Sequence, residues 1–439
     1  MPALRHRHVT HKAGPENPLA GKKVYIPRMP DGSSLAFAHV FRWLGIDAER
    51  TPPSNERTRE LGRKVSNGDE CYPAIVTVGD FLRVIEQPGF DPKRTVFFMP
   101  TAEGPCRFGQ YAPYLRKVLN DAGWADVQVL SPTSDNGYAD LGDVGGAFTR
   151  GAWRALVGGD ILSRAMLKTR PYETAAGAAE AAFEESLQDY CTTLENSCAE
   201  PACQMRSLVE SLHRARERFR HVPALYDPDV PLIGVVGEIF CRLNTFSNDD
   251  LVRRLEGFGA EASLSHIAEW VAYTNADQVR KLKLLGKAWS LDMLKTKIRS
   301  HVQLSDEHAL TAPFHEDFVG YEEPDIQEVL DLAWPYLPSN GALGEMVLSV
   351  GKAAYLARHG ADGIIDISPF TCMNGIVTES IYPKLSKDLG GIPIRTFYFD
   401  GTQSDLDRDL GIYLELARSY KEKKPYKRTY PACFAQPVA

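Results

Sequence analysis

The segment TVFFMPTAEGPCRFGQYAPYLRKVLNDAG, from Thr95 to Gly123, contains the alternation that decides the fold. Its apolar start, Thr95 to Pro100, predicts a buried strand, and the spacing of apolar residues from Arg107 to Gly123 predicts an amphipathic helix. Strands that alternate with helices form parallel sheets with helices on both faces. This segment therefore predicts an α/β protein with a Rossmann-like or flavodoxin-like layer structure.

The same alternation recurs before and after this segment. On the amino-terminal side, Lys23 to Pro27 predicts a strand and Ser33 to Gly45 a helix. Towards the carboxyl terminus, PLIGVVG (Pro231 to Gly237) predicts a second buried strand, and Ser247 is expected to cap a helix that ends at Gly259. Three further strands are predicted at Val127 to Leu130, Gly363 to Ser368 and Ile394 to Phe399.

Long helical periodicity without strands separates two α/β units, so two Rossmann-like parallel-sheet domains are predicted, with helical segments between and within them. The predicted divisions are a flexible amino-terminal arm at 1–21, a first domain at 22–144, a helical segment at 145–228, a second domain at 229–420 with a helical insertion at about 266–340, and a carboxyl-terminal tail at 421–439.

Composition excludes several function classes for this chain of 439 residues. A formal net charge of −7 and an isoelectric point near 5.9 disfavour a general binder of nucleic acid or of anionic membranes. No apolar run reaches the roughly 20 residues that span a bilayer, and the amino terminus has no apolar signal core. We expect a cytoplasmic protein whose eight cysteines are thiols or metal ligands rather than a disulfide framework.

Three cysteines occupy equivalent positions in the predicted topology. Cys106 and Cys372 each follow a predicted strand, and Cys71 precedes a proline that suits the first turn of a helix. Ligands bind at the carboxyl edge of parallel sheets, where the crevice and the helix amino termini meet. By position alone, these cysteines fit either a shared metal site or buried apolar packing.

Thiolate sulfur is the protein ligand of iron–sulfur clusters, and amide N–H groups supplied by nearby backbone tune their potential. Three thiolates would leave one iron of a 4Fe-4S cluster without a protein ligand. That iron could bind a substrate oxygen, as the open position of a catalytic zinc does. This residue type at these positions therefore suggests redox chemistry.

Four segments carry a resemblance to a known family: GDECYPA (68–74), GPCRFGQY (104–111), GEIFCRLNTFSND (237–249) and SPFTCMNGIVTESIYPK (368–384). In this order they resemble the 2-hydroxyacyl-CoA dehydratase superfamily, and most of all the branch related to the activator ATPase, which includes the double-cubane cluster proteins. The resemblance covers roughly residues 22 to 420. It implies subunits of two Rossmann-like domains with helical additions.

The resemblance implies that Cys71, Cys106 and Cys372 bind an oxygen-sensitive 4Fe-4S cluster, or part of an 8Fe-9S double cubane. In the dehydratases an ATP-hydrolysing activator delivers one electron, and the cluster passes it to a 2-hydroxyacyl-CoA so that water is eliminated. In the double-cubane branch, small molecules are reduced. The chain lacks a GxxxxGK[ST] phosphate loop, so ATP would act on a separate partner. A homodimer or a heterodimer with a homologous subunit is expected.

A double cubane needs more thiolates than these three. Cys191, Cys198 and Cys203 are candidates, although cysteines in helices often pack as small apolar residues. Cys241 follows a predicted strand and shares the ligand position, whereas Cys433 in the tail is expected to be inert.

Charged residues beside the cysteines are candidate catalytic groups. Glu70, Glu103 and Arg107 could move a proton or offset cluster charge, or could form ordinary salt bridges. Glu238, Arg242 and Asn244 follow a predicted strand, and they could contact a phosphate or the acyl group of CoA or could order their own loop. The basic run from Lys421 to Arg428 is expected to be solvated. The alternatives to an enzyme are a cluster-bearing electron carrier and a metal-free α/β binding protein.

Overall fold

A computed structural model describes residues 12–102, 104–132, 139–338, 344–402 and 405–435. It contains two four-stranded sheets, both entirely parallel and flanked by helices. The predicted α/β class with two Rossmann-like sheets is confirmed. Within the described residues, no helix combines the length and apolarity needed to cross a membrane.

The first sheet has the strand order β2-β1-β3-β4. In its centre, Val24 lies opposite Ala48 on one side and Val96 on the other. Its strands are β1 (Lys23–Ile26), β2 (Asp47–Arg50), β3 (Thr95–Phe98) and β4 (Gln128–Leu130), and its helices are α1 (Asp31–Trp43), α2 (Glu56–Val65), α3 (Tyr72–Ile85) and α4 (Tyr111–Asp121).

One strand of this sheet escaped prediction. β2 has the sequence DAER, and only Ala48 among its four residues is buried. A short, charged edge strand lacks the apolar run by which buried strands are recognised.

Three long helices, which follow the first sheet in the chain, form a helical layer: α5 (Gly145–Thr169), α6 (Ala178–Glu195) and α7 (Pro201–Arg220). α5 packs against α1, and the fully buried Arg154 on α5 forms a 2.9 Å ion pair with Asp306. The helical segment expected here is present.

The second sheet has the order β6-β5-β7-β8. Its strands are β5 (Leu232–Gly237), β6 (Glu261–Leu264), β7 (Gly363–Pro369) and β8 (Ile394–Phe399). Its helices are α8 (Ile239–Leu243), α9 (Leu251–Gly257), α10 (Ile267–Leu284), α11 (Leu291–Thr311), α12 (Ile326–Ala333), α13 (Glu345–Arg358), α14 (Met373–Asp388) and α15 (Leu406–Lys421). The expected helical insertion contains α10, α11 and α12.

The predicted helix cap at Ser247 was wrong. α9 begins at Leu251, after Asp250 in a left-handed conformation, and Ser247 instead bonds through its hydroxyl to Asn244 Oδ1 at 2.7 Å. The loop after α8 is thus held by its own side chains, and the helix starts one turn later than the apolar spacing suggested.

Both ends of the described chain pack against the body. Residues 12–21 differ from a free arm, because Leu19 is fully buried and Asn17 donates to the Leu141 carbonyl at 3.0 Å. The basic tail differs from a solvated end, because Arg428 is buried and pairs with Glu261 at 2.7 Å.

The carboxyl edges of the two sheets meet. Asn244, after β5, donates to the carbonyl of Arg28, after β1, at 2.9 Å. Arg59 and Arg63 on α2 donate to the carbonyls of Gly401 and Asp400, which follow β8. Loops from both domains therefore form one continuous region.

Candidate functional site

One arginine joins the three loops that carry the predicted cluster ligands. Arg107, next to Cys106, donates to the Asp69 carbonyl at 2.8 Å and to the Thr371 carbonyl at 3.0 Å. Asp69 lies two residues before Cys71, and Thr371 immediately precedes Cys372. The structure therefore brings together the segments of Cys71, Cys106 and Cys372, although they are far apart in sequence and come from both domains.

Each of the three cysteines immediately precedes a helical turn. Cys71 precedes α3, Cys372 precedes α14, and Cys106 precedes the 3₁₀ turn Arg107–Gln110 that leads into α4. The first N–H groups of a helix have no partner within it, and the dipole there favours negative charge. The N–H groups of these first helical turns therefore lie on the side of the three cysteines. These positions suit thiolate ligands.

The thiols of this structure hold their protons tightly. Burial raises the pKa of Cys372 to about 12 and raises the pKa of Cys71 as well, whereas Cys106 is exposed. The nearby carboxylate of Glu238 acts in the same direction on all three. Binding a metal group here would therefore release protons, because the ligands must be thiolates.

Tyr111 is the closest polar neighbour of a predicted ligand sulfur. Its hydroxyl lies 2.7 Å from Cys71 Sγ, in a buried contact. Burial raises the pKa of Tyr111 well above its ordinary value, and the Cys71 thiolate raises it further. The phenol is thus a neutral donor that can bond to a thiolate but does not ionise itself.

Two carboxyl groups lie beside the cysteines: the buried Glu345 and the partly buried Glu238. Glu238 accepts the N–H groups of Phe240 and Cys241, the latter at 2.7 Å, and Glu345 accepts the N–H of Ile239 at 2.7 Å. Burial raises the pKa of Glu345 to about 8, and the charge of Glu238 adds to this effect. Sequence reasoning missed Glu345, because it begins α13 in a helical region with no distinguishing neighbours.

The other predicted site residues have structural partners. Glu70 accepts the N–H groups of Asn67 and Gly68 and so stabilises its own loop. Arg242 donates to the Gly237 carbonyl, and Asn244 bonds across to the first domain, so both order the loop after β5. Glu103 lies outside the described residues.

Of the five remaining cysteines, four lie away from the predicted ligands and Cys241 lies near them. Cys198 and Cys203 form a disulfide, so the expectation that all eight cysteines are thiols or metal ligands was wrong for these two. Cys191 is buried within the helical layer, and Cys433 lies 3.6 Å from the ammonium group of Lys168. Burial raises the pKa of Cys241, and the nearby charges of Glu238, Cys372 and Cys71 raise it further, so this cysteine lies close to the predicted ligands. It is fully buried, and its thiol donates to the Ser247 carbonyl.

In the described part of the chain, no three histidine, cysteine or carboxylate side chains converge on a position where they would bind a single metal ion. The three cysteine sulfurs thus do not form a mononuclear site. No family model matches the chain, and no curated protein matches it at a significant level.

Proposed function

We propose that Cys71, Cys106 and Cys372 bind an iron–sulfur cluster, and that the chain is a low-potential redox enzyme of the 2-hydroxyacyl-CoA dehydratase type. The observation that carries this proposal is the bridge made by Arg107. Its hydrogen bonds to Asp69 and Thr371 hold three cysteine loops at one edge shared by two sheets. Cysteines that only fill space in a core would not require three loops from two domains to be held together.

The donor set fits a cluster better than a single ion. Each thiolate of a cubane binds a different iron, so the ligand sulfurs are separated by the cluster itself. Three cysteine loops held side by side by Arg107 would meet this requirement. Three thiolates also leave one iron free for a substrate oxygen or another exogenous ligand.

The surrounding residues have definite roles in this proposal. The Tyr111 hydroxyl beside Cys71 Sγ and the positive ends of the helical turns that follow the three cysteines would stabilise the added negative charge of a reduced state. Arg107 supplies a positive charge beside Cys106 and fixes the loops. When bound, the cluster supplies one-electron transfer. The carboxyl groups of Glu345 and Glu238 would hold a proton beside the cysteines, in place of the predicted Glu70.

The electron must come from elsewhere. Because the sequence has no GxxxxGK[ST] loop, we propose a separate ATP-hydrolysing activator as the donor. The acceptor is a 2-hydroxyacyl-CoA, which loses water, or a small reducible molecule.

Anaerobic purification followed by iron, sulfide and electron paramagnetic resonance measurements tests the cluster. We expect about four irons per chain for a single cubane, or about eight for a double cubane. Cys71→Ser, Cys106→Ser and Cys372→Ser should each lower the iron content and change the resonance, whereas Cys433→Ser should not. A wild-type protein that binds no iron after reconstitution with iron and sulfide would leave a metal-free binding protein as the better assignment.

Activity separates an enzyme from an electron carrier. The reconstituted protein is mixed with activator, ATP and a low-potential donor, and consumption of 2-hydroxyacyl-CoA or of small reducible molecules is followed. Turnover that is lost in Cys372→Ser supports the enzyme. A cluster that is reduced but never reoxidised by any of these substrates contradicts it.

A further inference from the structure

A lysine and a cysteine that are far apart in sequence meet where the carboxyl-terminal tail packs on α5. Lys168, in the last turn of α5, donates from Nζ to Cys433 Sγ at 3.6 Å. Cys433 lies in the 3₁₀ turn Ala432–Ala435 at the end of the described chain. The two residues are 265 positions apart, so this contact depends on the folded tail.

The ammonium group of Lys168 is directed at the sulfur rather than at a carboxylate. The residue is only 5% exposed, and its Nζ lies 5.0 Å from the centre of the Tyr226 ring and 5.9 Å from that of Tyr321. Within the described ranges of the chain, no carboxylate pairs with it, and the Cys433 sulfur is the one polar atom to which it donates. Lysines this deeply buried are ordinarily paired with an acidic group. An ordinary ion pair therefore does not account for Lys168.

The sulfur of Cys433 is fixed in position and remains within reach of solvent. Cys433 is a free thiol of intermediate exposure. Its neighbour Phe434 packs against the rings of Tyr172, Tyr226 and Tyr430, with centroids 5.3, 5.0 and 4.9 Å away. This aromatic packing holds the turn beside α5. A small oxidant from solvent can thus meet a thiol that is already in contact with an amine.

The chemistry of oxidised cysteine gives this pair a definite reaction. A peroxide converts a thiolate into a sulfenic acid, and a sulfenic acid condenses with a thiol or with a nitrogen atom, which gives a sulfenamide. The nitrogen held against the Cys433 sulfur belongs to an amine, which is a better nucleophile than a backbone amide. The flexible stem of lysine can supply the remaining approach to bonding distance.

We propose that Lys168 and Cys433 form an oxidation site at which hydrogen peroxide links the tail covalently to α5. In the first step the sulfur takes one oxygen from peroxide, the O–O bond breaks, and water leaves. In the second step the Lys168 nitrogen, after giving one proton to water, attacks the sulfur. The S–O bond breaks, and the departing hydroxide takes a second proton from nitrogen and leaves as water.

Overall the pair loses two hydrogen atoms and the peroxide is reduced to two waters. Two molecules of a thiol reverse the link, because they are oxidised to a disulfide and return the amine and the Cys433 thiol. The site is independent of the cysteine loops joined by Arg107 and of the proposed function.

Peptide mapping by mass spectrometry tests the link in the full-length protein. The protein is treated with hydrogen peroxide, its remaining thiols are alkylated, and it is digested. We expect the peptide of Lys168 joined to that of Cys433, with two hydrogens less than the two reduced peptides together, and dithiothreitol should separate them. Lys168→Arg and Cys433→Ser should each abolish the link. Lys427→Arg is the matched control, because this lysine lies in the same tail but is exposed, and it should keep the link.

Thermal unfolding gives a second measurement. A link between residues 265 positions apart restricts the unfolded chain. Peroxide should therefore raise the unfolding temperature of the wild type by on the order of 5 °C relative to its effect on Lys168→Arg. Cys433 recovered as a sulfenic or sulfinic acid with Lys168 unlinked would overturn the proposal. A link from Cys433 to Lys427, or a linked pair that keeps one oxygen, would overturn it as well.

Discussion

At the scale of single residues, the Tyr111 hydroxyl distinguishes Cys71 from an ordinary buried thiol. It lies 2.7 Å from the sulfur and is buried, so its bond to a thiolate is not weakened by water. Hydrogen bonds to cluster thiolates stabilise the more negative, reduced state. Tyr111→Phe should therefore lower the reduction potential of the proposed cluster, by on the order of 40 mV for a differential bond of about 1 kcal/mol.

Potentiometric titration of the two proteins measures this shift. Tyr114→Phe is the control on the same helix, because its hydroxyl donates to the Val65 carbonyl and not to sulfur. An unchanged potential in Tyr111→Phe would show that the phenol does not bond to a cluster ligand.

Arg107 is the second residue whose role is sharply defined. Its guanidinium reaches Asp69 and Thr371 through different nitrogens, a geometry that lysine cannot reproduce. Both Arg107→Ala and Arg107→Lys should therefore lower the iron retained on exposure to chelator. Arg116→Ala, which removes an exposed arginine bonded to the Val129 carbonyl, should leave iron retention unchanged. Equal retention in all these proteins would contradict the bridging role.

At the scale of elements, close contact between α2 and α3 sets the position of the helix that follows Cys71. A Cβ atom at Gly79 on α3 would lie 2.0 Å from the Thr58 carbonyl oxygen on α2, closer than any real contact. Gly79→Ala should thus force the helices apart and lower the free energy of unfolding by about 2–3 kcal/mol.

Denaturant unfolding measures this loss. In α15, a Cβ atom at Gly411 meets nothing within 4 Å. Gly411→Ala should accordingly raise stability by about 0.5–1 kcal/mol through helix propensity alone. A stability loss of the same size in both variants would contradict the contact argument.

Asp160 on α5 makes stability depend on pH. It accepts Ser33 Oγ of α1 and the N–H of Ala268 of α10, both at 2.9 Å, and burial raises its pKa to about 7. Because folding favours its protonated form, Asp160 contributes most to the free energy of unfolding below its ordinary pKa near 4. This contribution is lost as the pH rises to 7. Asp160→Asn should remove this loss. The free energy of unfolding of Asp160→Asn, taken relative to that of the wild type, should rise by about 1–3 kcal/mol from pH 4 to pH 8.

Unfolding of both proteins across this range measures the difference, with the exposed Asp126→Asn as control. If the free energy of unfolding fell with pH as much in Asp160→Asn as in the wild type, the pH dependence would belong to another group.

The elements differ in how well sequence predicted them. Long apolar strands such as β5 and β7 are buried on both faces, and their composition is sufficient to identify them. β2 was missed because charged residues at a sheet edge obey no apolar pattern. The start of α9 was misplaced because a loop held by Asn244 and Ser247 replaced the expected cap.

At the scale of the whole molecule, the candidate site exists only when both domains are assembled. Sequence predicted that Cys71, Cys106 and Cys372 occupy equivalent loop positions, since each position follows from local strand and helix signals. It did not predict Arg107 as the bridge or Glu345 as a neighbour, because those roles depend on how two separately folded sheets meet. Contacts between domains leave no periodic trace in sequence.

The carboxyl-terminal tail joins the second sheet to the helical layer through a buried charge. The guanidinium of Arg428 pairs with Glu261 of β6 at 2.7 Å, and the Glu261 carboxylate also accepts the hydroxyl of Tyr172 at 2.6 Å. Arg428→Met would leave Glu261 charged in a site that water does not reach. We expect this variant to lose about 3–5 kcal/mol of unfolding free energy, whereas Lys427→Met, at an exposed neighbour, should change it by less than about 0.5 kcal/mol. Adding Glu261→Gln to Arg428→Met should recover part of the loss, because the uncompensated charge is then gone and the amide can still accept from Tyr172. A double variant as unstable as the sum of its single variants would mean that the tail is held by its aromatic packing and not by this ion pair.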